Sequence, residues 1–172
     1  MALNENETLL WNQCSQGDEE VSKFIVQRYL QKIFGFVFYR VGCNQDLAYE
    51  VTAACFTETL RLKPSPGVHK SLLLALVRCA IKNTHETKAL IAQENLELPG
   101  VSPERKATLQ LVGQALLALS EASKLTLLLR DQMGLRYSEM AYALEASEHQ
   151  VKEQVVQARL QLREKVEKLL DL

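Results

Sequence analysis

Residues 119–166 read LSEASKLTLLLRDQMGLRYSEMAYALEASEHQVKEQVVQARLQLREKV, and this stretch decides the fold. Gly134 closes one helix, and Tyr137-Ser138-Glu139 opens a short one that carries Met140, Ala141 and Leu144. After a very short connection, Ser147 is placed to cap a longer helix with Val151, Val155, Leu162, Val166 and Leu169 on one side. Two helices joined by so tight a turn cross steeply, and the second turns a polar face outward. That is helix-turn-helix geometry, with a second helix sized for a major groove about 12 Å wide.

Outward from this segment the pattern stays helical. Apolar residues at Val21, Phe24, Ile25, Ile33, Phe34, Val37, Phe38 and Val41 predict one long amphipathic helix, entered through Gly17-Asp18 and stopped by Gly42. A short helix over 5–16 precedes it, and Asn44 can cap another over 45–62. Lys63-Pro64-Ser65-Pro66-Gly67 breaks the chain, and a leucine-dense run over 68–93 follows. In that run Leu72, Leu73, Leu74 and Leu76 read as core. Leu98-Pro99-Gly100 is a linker, and Ser102-Pro103-Glu104 reads as an N-cap, a proline at the first helical position and an acidic first turn. The predicted helices beyond it cover 103–119, 121–132, 137–144 and 148–170. The expectation is all-α: a helical domain over 1–93, a linker over 94–101, and a helix-turn-helix domain over 102–172.

Composition agrees. A hydrophobic content of 47% is globular, and seven Gly with four Pro leave room for long helices. The net charge of −1 is unevenly spread. Residues 1–60 carry four Lys and Arg against eight Asp and Glu, residues 61–110 eight against four, and residues 111–172 eight against nine. Phosphate contacts dominate nucleic-acid affinity, so so balanced a chain binds DNA weakly alone or shares the task with a partner. Cys14, Cys43, Cys55 and Cys79 lack the close spacing of a zinc site or disulfide framework and read as buried free thiols in a reducing cytoplasm. No apolar run approaches the roughly 20 residues of a membrane span, and no signal pattern opens the chain. The expected location is cytoplasmic, away from membranes.

The 119–166 segment resembles the sigma-4 domain of extracytoplasmic-function sigma factors. The resemblance rests on Leu127-Leu128-Leu129-Arg130-Asp131, Gly134-Leu135, Tyr137, Glu139, Ala141, Leu144, Ser147, Val151-Lys152, Ala158-Arg159 and Leu162-Arg163-Glu164, in order and without gaps. It is also somewhat similar to LuxR-type regulator domains. Gly17-Asp18, Tyr29 and Ala48-Tyr49-Glu50 ahead of Phe56 resemble, more loosely, the sigma-2 domain, which a LuxR-type regulator does not carry. What the resemblance implies is a sigma factor that directs RNA polymerase core to promoter DNA, with an anti-sigma factor as a further partner and no cofactor.

Departures from the family pattern bear on that role. The Gln-Glu pair that helps dock sigma-2 on the polymerase clamp is Ala53-Ala54 here, beside Asp46 and Glu50. In the stretch that captures the melted strand, Leu72 stands for Trp, Cys79 for Asn, Asn83 for Asp, and Glu86-Thr87 for a basic pair, removing groups that hold an unstacked base. On the second helix of the motif KSRLHRAR becomes Lys152-Glu153-Gln154-Val155-Val156-Gln157-Ala158-Arg159, and the turn glycine becomes Glu145. In a left-handed conformation that glutamate costs about 1 kcal/mol.

The residues expected to meet DNA are Arg136, Tyr137, Ser147, His149, Gln150, Lys152, Gln154 and Arg159; those expected to meet polymerase are Asp46, Glu50, Ala53 and Ala54. Against each stands a plainer role as solvated helix surface. Arg130 is expected either to grip a phosphate or to pair with Asp131 or a helix end. His69, His85 and His149 are far apart, with no nucleophile motif or phosphate-cradling loop nearby, so neither an enzyme nor a metal site is expected. Two other functions fit the residues: a divergent sigma-like protein acting through protein contacts with weakened promoter recognition, and a free-standing DNA-binding regulator.

Overall fold

In the computed structural model, residues 2–64, 71–86 and 111–170 are described. Among them the protein is all-α. Helix α1 spans Ala2–Ser15, α2 Glu19–Arg40, α3 Gln45–Arg61 and α4 Leu72–Glu86. Helix α5 is described over 111–117. Helix α6 spans Glu121–Leu127 and runs on into a wide π-turn at Leu128–Gln132, before α7 at Tyr137–Leu144 and α8 at Glu148–Leu170. The chain divides into two compact units, the first built from α1–α4 and the second from α5–α8. The expected boundaries near 93 and 102, the linker and the cap at Ser102 lie outside the described residues.

In the first unit, Asp18 caps α2, its carboxylate accepting the Val21 N–H at 3.1 Å. The inward face of α2 carries Ile25, Tyr29, Ile33, Phe36, Val37 and Arg40. This corrects the periodicity reading at two places, since Phe24 is exposed and Phe36 is fully buried. A helix with apolar residues at 33, 34, 36, 37 and 38 admits more than one stripe, and packing against α3 and α4 selects the one through Phe36. Leu72, Leu74, Leu76, Val77 and Ala80 of α4 are buried against it, as expected of a central helix. Each large side chain so buried contributes about 1.5–3 kcal/mol relative to exposure. Helix α1 is tied down by polar contacts. The Trp11 indole donates to the Thr59 carbonyl at 3.1 Å, and the Tyr29 hydroxyl donates to Glu7. Burial first, and then Glu7, pushes the Tyr29 hydroxyl pKa upward. Arg40 is buried too, with its Nε donating to the Thr84 hydroxyl at 3.4 Å.

In the second unit, Ser120 caps α6 by accepting the Ser123 N–H at 3.2 Å. The predicted helix over 121–132 exists, but its last five residues are π-helical rather than α. The wider turn lets the Met133 N–H reach the Leu128 carbonyl at 2.9 Å and turns Leu128, Leu129 and Met133 inward together. Gly134 then takes φ +69, a left-handed conformation that a glycine adopts without penalty. Met140 of α7 and Val151, Val155 and Ala158 of α8 complete the core with Leu127 and Leu135.

Candidate nucleic-acid interface

Helix α7 begins at Arg136, whose backbone N–H is accepted by Glu139 Oε2 at 2.7 Å. The same glutamate pairs through Oε1 with the Arg136 guanidinium at 2.9 Å. Only half of a capping box is formed here, because arginine offers no acceptor to return. Helix α7 ends at Glu145, with φ 53 and ψ 40, while the Ala146 N–H bonds back to Ala141 at 3.0 Å. The turn between the two helices is therefore left-handed and is made with a glutamate. Its strain costs about 1–2 kcal/mol.

The start of α8 is capped reciprocally. Ser147 Oγ accepts the Gln150 N–H at 3.2 Å, while Gln150 Oε1 accepts the Ser147 N–H and hydroxyl at 2.9 Å each. Gln150, expected to read base edges, thus spends its carbonyl oxygen on the helix start, and its amide NH₂ remains the group it can offer outward. Ser147, His149, Gln150, Lys152, Gln154 and Arg159 are all exposed on this helix.

Most of the cations on this face hold internal partners. Arg159 forms a two-point pair with Asp131, Nη2 to Oδ1 at 2.5 Å and Nε to Oδ2 at 3.4 Å. Its guanidinium pKa is raised by that hydrogen bond and by the Asp131 charge. The His149 ring lies 3.4 Å from Glu153. Arg130 is not paired with its neighbour Asp131: it donates to the Leu135 carbonyl, just past the end of the π-turn, at 2.7 Å and stacks on the Tyr137 ring at 4.5 Å. Lys152 Nζ lies over the same ring at 5.7 Å. Tyr137, half-buried, is the platform that gathers two cations from separate elements. Periodicity carries no signal for this arrangement, and the sequence offered Asp131 as a partner for its neighbour Arg130, not for Arg159.

On the first unit, Asp46, Glu50 and Ala53 are exposed and Ala54 is half-buried, and the first three follow one another at helical spacing along α3. Beside them lies an aromatic group. Phe34 meets Tyr49 at 4.7 Å and Phe38 at 5.9 Å between ring centres, and Tyr49 is more than half exposed. Among the described residues no cluster of His, Cys, Asp and Glu is arranged to hold a metal ion. No helix there is long and apolar enough to cross a membrane.

Neither a family model nor a curated protein sequence matches this chain. A solved structure does. CnrH, an extracytoplasmic-function sigma factor determined in complex with the cytosolic domain of CnrY, superposes with a TM-score of 0.74 at 17% identity, covering 96% of this chain and 97% of its own. At that identity the likeness is one of fold: the chain has the helical fold of an extracytoplasmic-function sigma factor.

Proposed function

We propose that the protein is a sigma-factor-like regulator of transcription, whose first unit docks on RNA polymerase core through the Asp46–Ala54 face of α3 and whose α7–α8 motif approaches promoter DNA. The observation that carries this reading is the match to a sigma-factor fold over nearly the whole chain, not over the helix-turn-helix alone. A free-standing DNA-binding regulator has no need of the first unit. The Ser147–Gln150 cap and the exposed face of α8 support a motif still able to enter a groove. CnrH is held by the anti-sigma factor CnrY, which supports a partner of that kind here as well. The proposed role is that of a regulator rather than an enzyme, working in the cytoplasm with no cofactor.

The internal pairing of Arg136 and Arg159, with Glu153 on the groove-facing helix, favours a specific variant of this reading. In it promoter affinity is reduced, and protein contacts supply more of the function. Capture of purified polymerase core by the full chain tests the proposal. Retention of the chain by core is expected; no retention at micromolar concentrations of both would refute docking. Anisotropy of labelled duplex with the full chain, alone and with core, separates the two variants, since the protein-contact variant binds DNA only when core is present.

A further inference from the structure

The first unit holds a pair of thiols on adjacent helices. Cys55 of α3 is fully buried, and Cys79 of α4 is only half-buried, which corrects the expectation that all four cysteines are buried. The two sulfurs share one neighbour, Asn83 Nδ2, which lies 3.7 Å from each. The Cys79 thiol donates to Glu58 Oε2 at 3.4 Å, so a proton path leads from Cys79 to an exposed carboxylate. The neighbouring Cys55 thiol draws the Cys79 pKa down, against burial and the Glu58 carboxylate, which push it up, whereas Cys79 and burial push Cys55 up. A partly accessible thiol beside a fully buried one divides the two into attacker and resolver.

We propose that Cys55 and Cys79 are an oxidation site, closed to a reversible disulfide between α3 and α4 by a hydroperoxide. Cys79 passes its proton to Glu58, and its sulfur attacks the terminal peroxide oxygen. The O–O bond breaks, and the departing alkoxide or hydroxide takes the proton from Glu58, leaving Cys79 as a sulfenic acid. The Cys55 sulfur then attacks the Cys79 sulfur. The S–O bond breaks as the S–S bond forms, and hydroxide leaves with the Cys55 proton as water. Two thiols lose two electrons, and one hydroperoxide becomes an alcohol or water plus one water. Closing the bridge brings two sulfurs that share the Asn83 amide to a bond of about 2.05 Å between the packed helices α3 and α4. The bridge pins α3, the helix proposed above to meet polymerase. That consequence rests on the docking proposal, whereas the bridge is tested by thiol chemistry alone.

The test treats the reduced full chain with hydrogen peroxide under native conditions. The four thiols of the sequence are expected to fall to two. A digest is expected to contain one peptide pair joined through Cys55 and Cys79 and released by dithiothreitol. In C55A the resolver is absent, so Cys79 is expected to accumulate as a sulfenic acid that dimedone traps. Circular dichroism confirms that this variant folds, and the wild-type digest decides the matter if it does not. Retention of all four thiols, a bridge through Cys14 or Cys43, or a bridge between chains overturns the proposal.

Discussion

Asp131→Asn releases Arg159 from its two-point pair without changing the shape of either side chain, and so tests whether α8 is restrained from DNA by its own domain. The pair is about half exposed on both sides, 53% for Arg159 and 47% for Asp131, so solvent screens it. A loss of about 0.5 kcal/mol in stability is expected, lowering Tm by about 2–4 °C. The gain in DNA binding is read through salt. One additional phosphate contact steepens the slope of log affinity against log salt by about 0.9, so the benefit is about 3–4-fold larger at about 50 mM than at about 200 mM salt. Anisotropy of a labelled duplex with the full chain measures both points. In Asp131→Asn/Arg159→Ala the gain should vanish, because the freed cation is then missing. An unchanged slope in the single variant, or a gain that survives in the double variant, refutes the argument that Arg159 is held in reserve for phosphate.

Glu153→Ser removes a carboxylate from the helix proposed to approach DNA and should strengthen duplex binding most at low salt; equal affinity at every salt concentration would place Glu153 away from phosphate. Gln150→Ala breaks two hydrogen bonds to Ser147 and should cost about 0.5–1 kcal/mol, a Tm drop of about 2–8 °C by calorimetry. Without that drop, the cap contributes nothing to α8. Glu145→Gly relieves the left-handed strain at φ 53 and should stabilise the second unit by about 0.5–1 kcal/mol in urea titration, whereas destabilisation would mean that contacts of the glutamate outweigh its strain. Ala53→Gln/Ala54→Glu should tighten capture by polymerase core, polar anchors at such interfaces contributing about 1–3 kcal/mol each. Unchanged capture would move the docking face away from these positions.

The helical class and most helix ends were legible because they rest on local chemistry. Asp18 ends in a cap, Gly134 in a left-handed turn and Ser147 in a reciprocal box, each within three or four residues of the signal that announces it. Where several apolar registers competed along α2, the sequence named Phe24 and the structure buries Phe36, because only neighbouring helices decide between overlapping stripes. The π-turn at Leu128–Gln132 was illegible for a related reason. Three leucines in succession fit an α-turn and a π-turn equally well, and burying Leu128, Leu129 and Met133 together selects the wider one. The thiol pair needs both α3 and α4 in place, so a spacing of 24 residues between Cys55 and Cys79 carried no sign of it.

The candidate interface was legible in its members but not in their commitments. A one-dimensional pattern gives Arg136, Lys152 and Arg159 as cations on a groove-facing motif. The folded domain gives Glu139, the Tyr137 ring and Asp131 as what they already hold. Binding a duplex with such residues is an exchange: an internal ion pair opens before a phosphate pair forms, and two exposed pairs of similar strength nearly cancel. Affinity from this face is then small, and its preference among sequences falls to groups not spent on pairing, chiefly Gln154 and the outward amide of Gln150. A weak reader of that kind becomes effective when a second contact holds it beside its target, because tethering converts a bimolecular encounter into a local one and can raise apparent affinity by about 10²–10⁴ without any new contact. The proposed docking of α3 on polymerase is such a tether. It makes the two units interdependent in function, and it locates the control of promoter binding in the first unit rather than in the helix that would touch the bases.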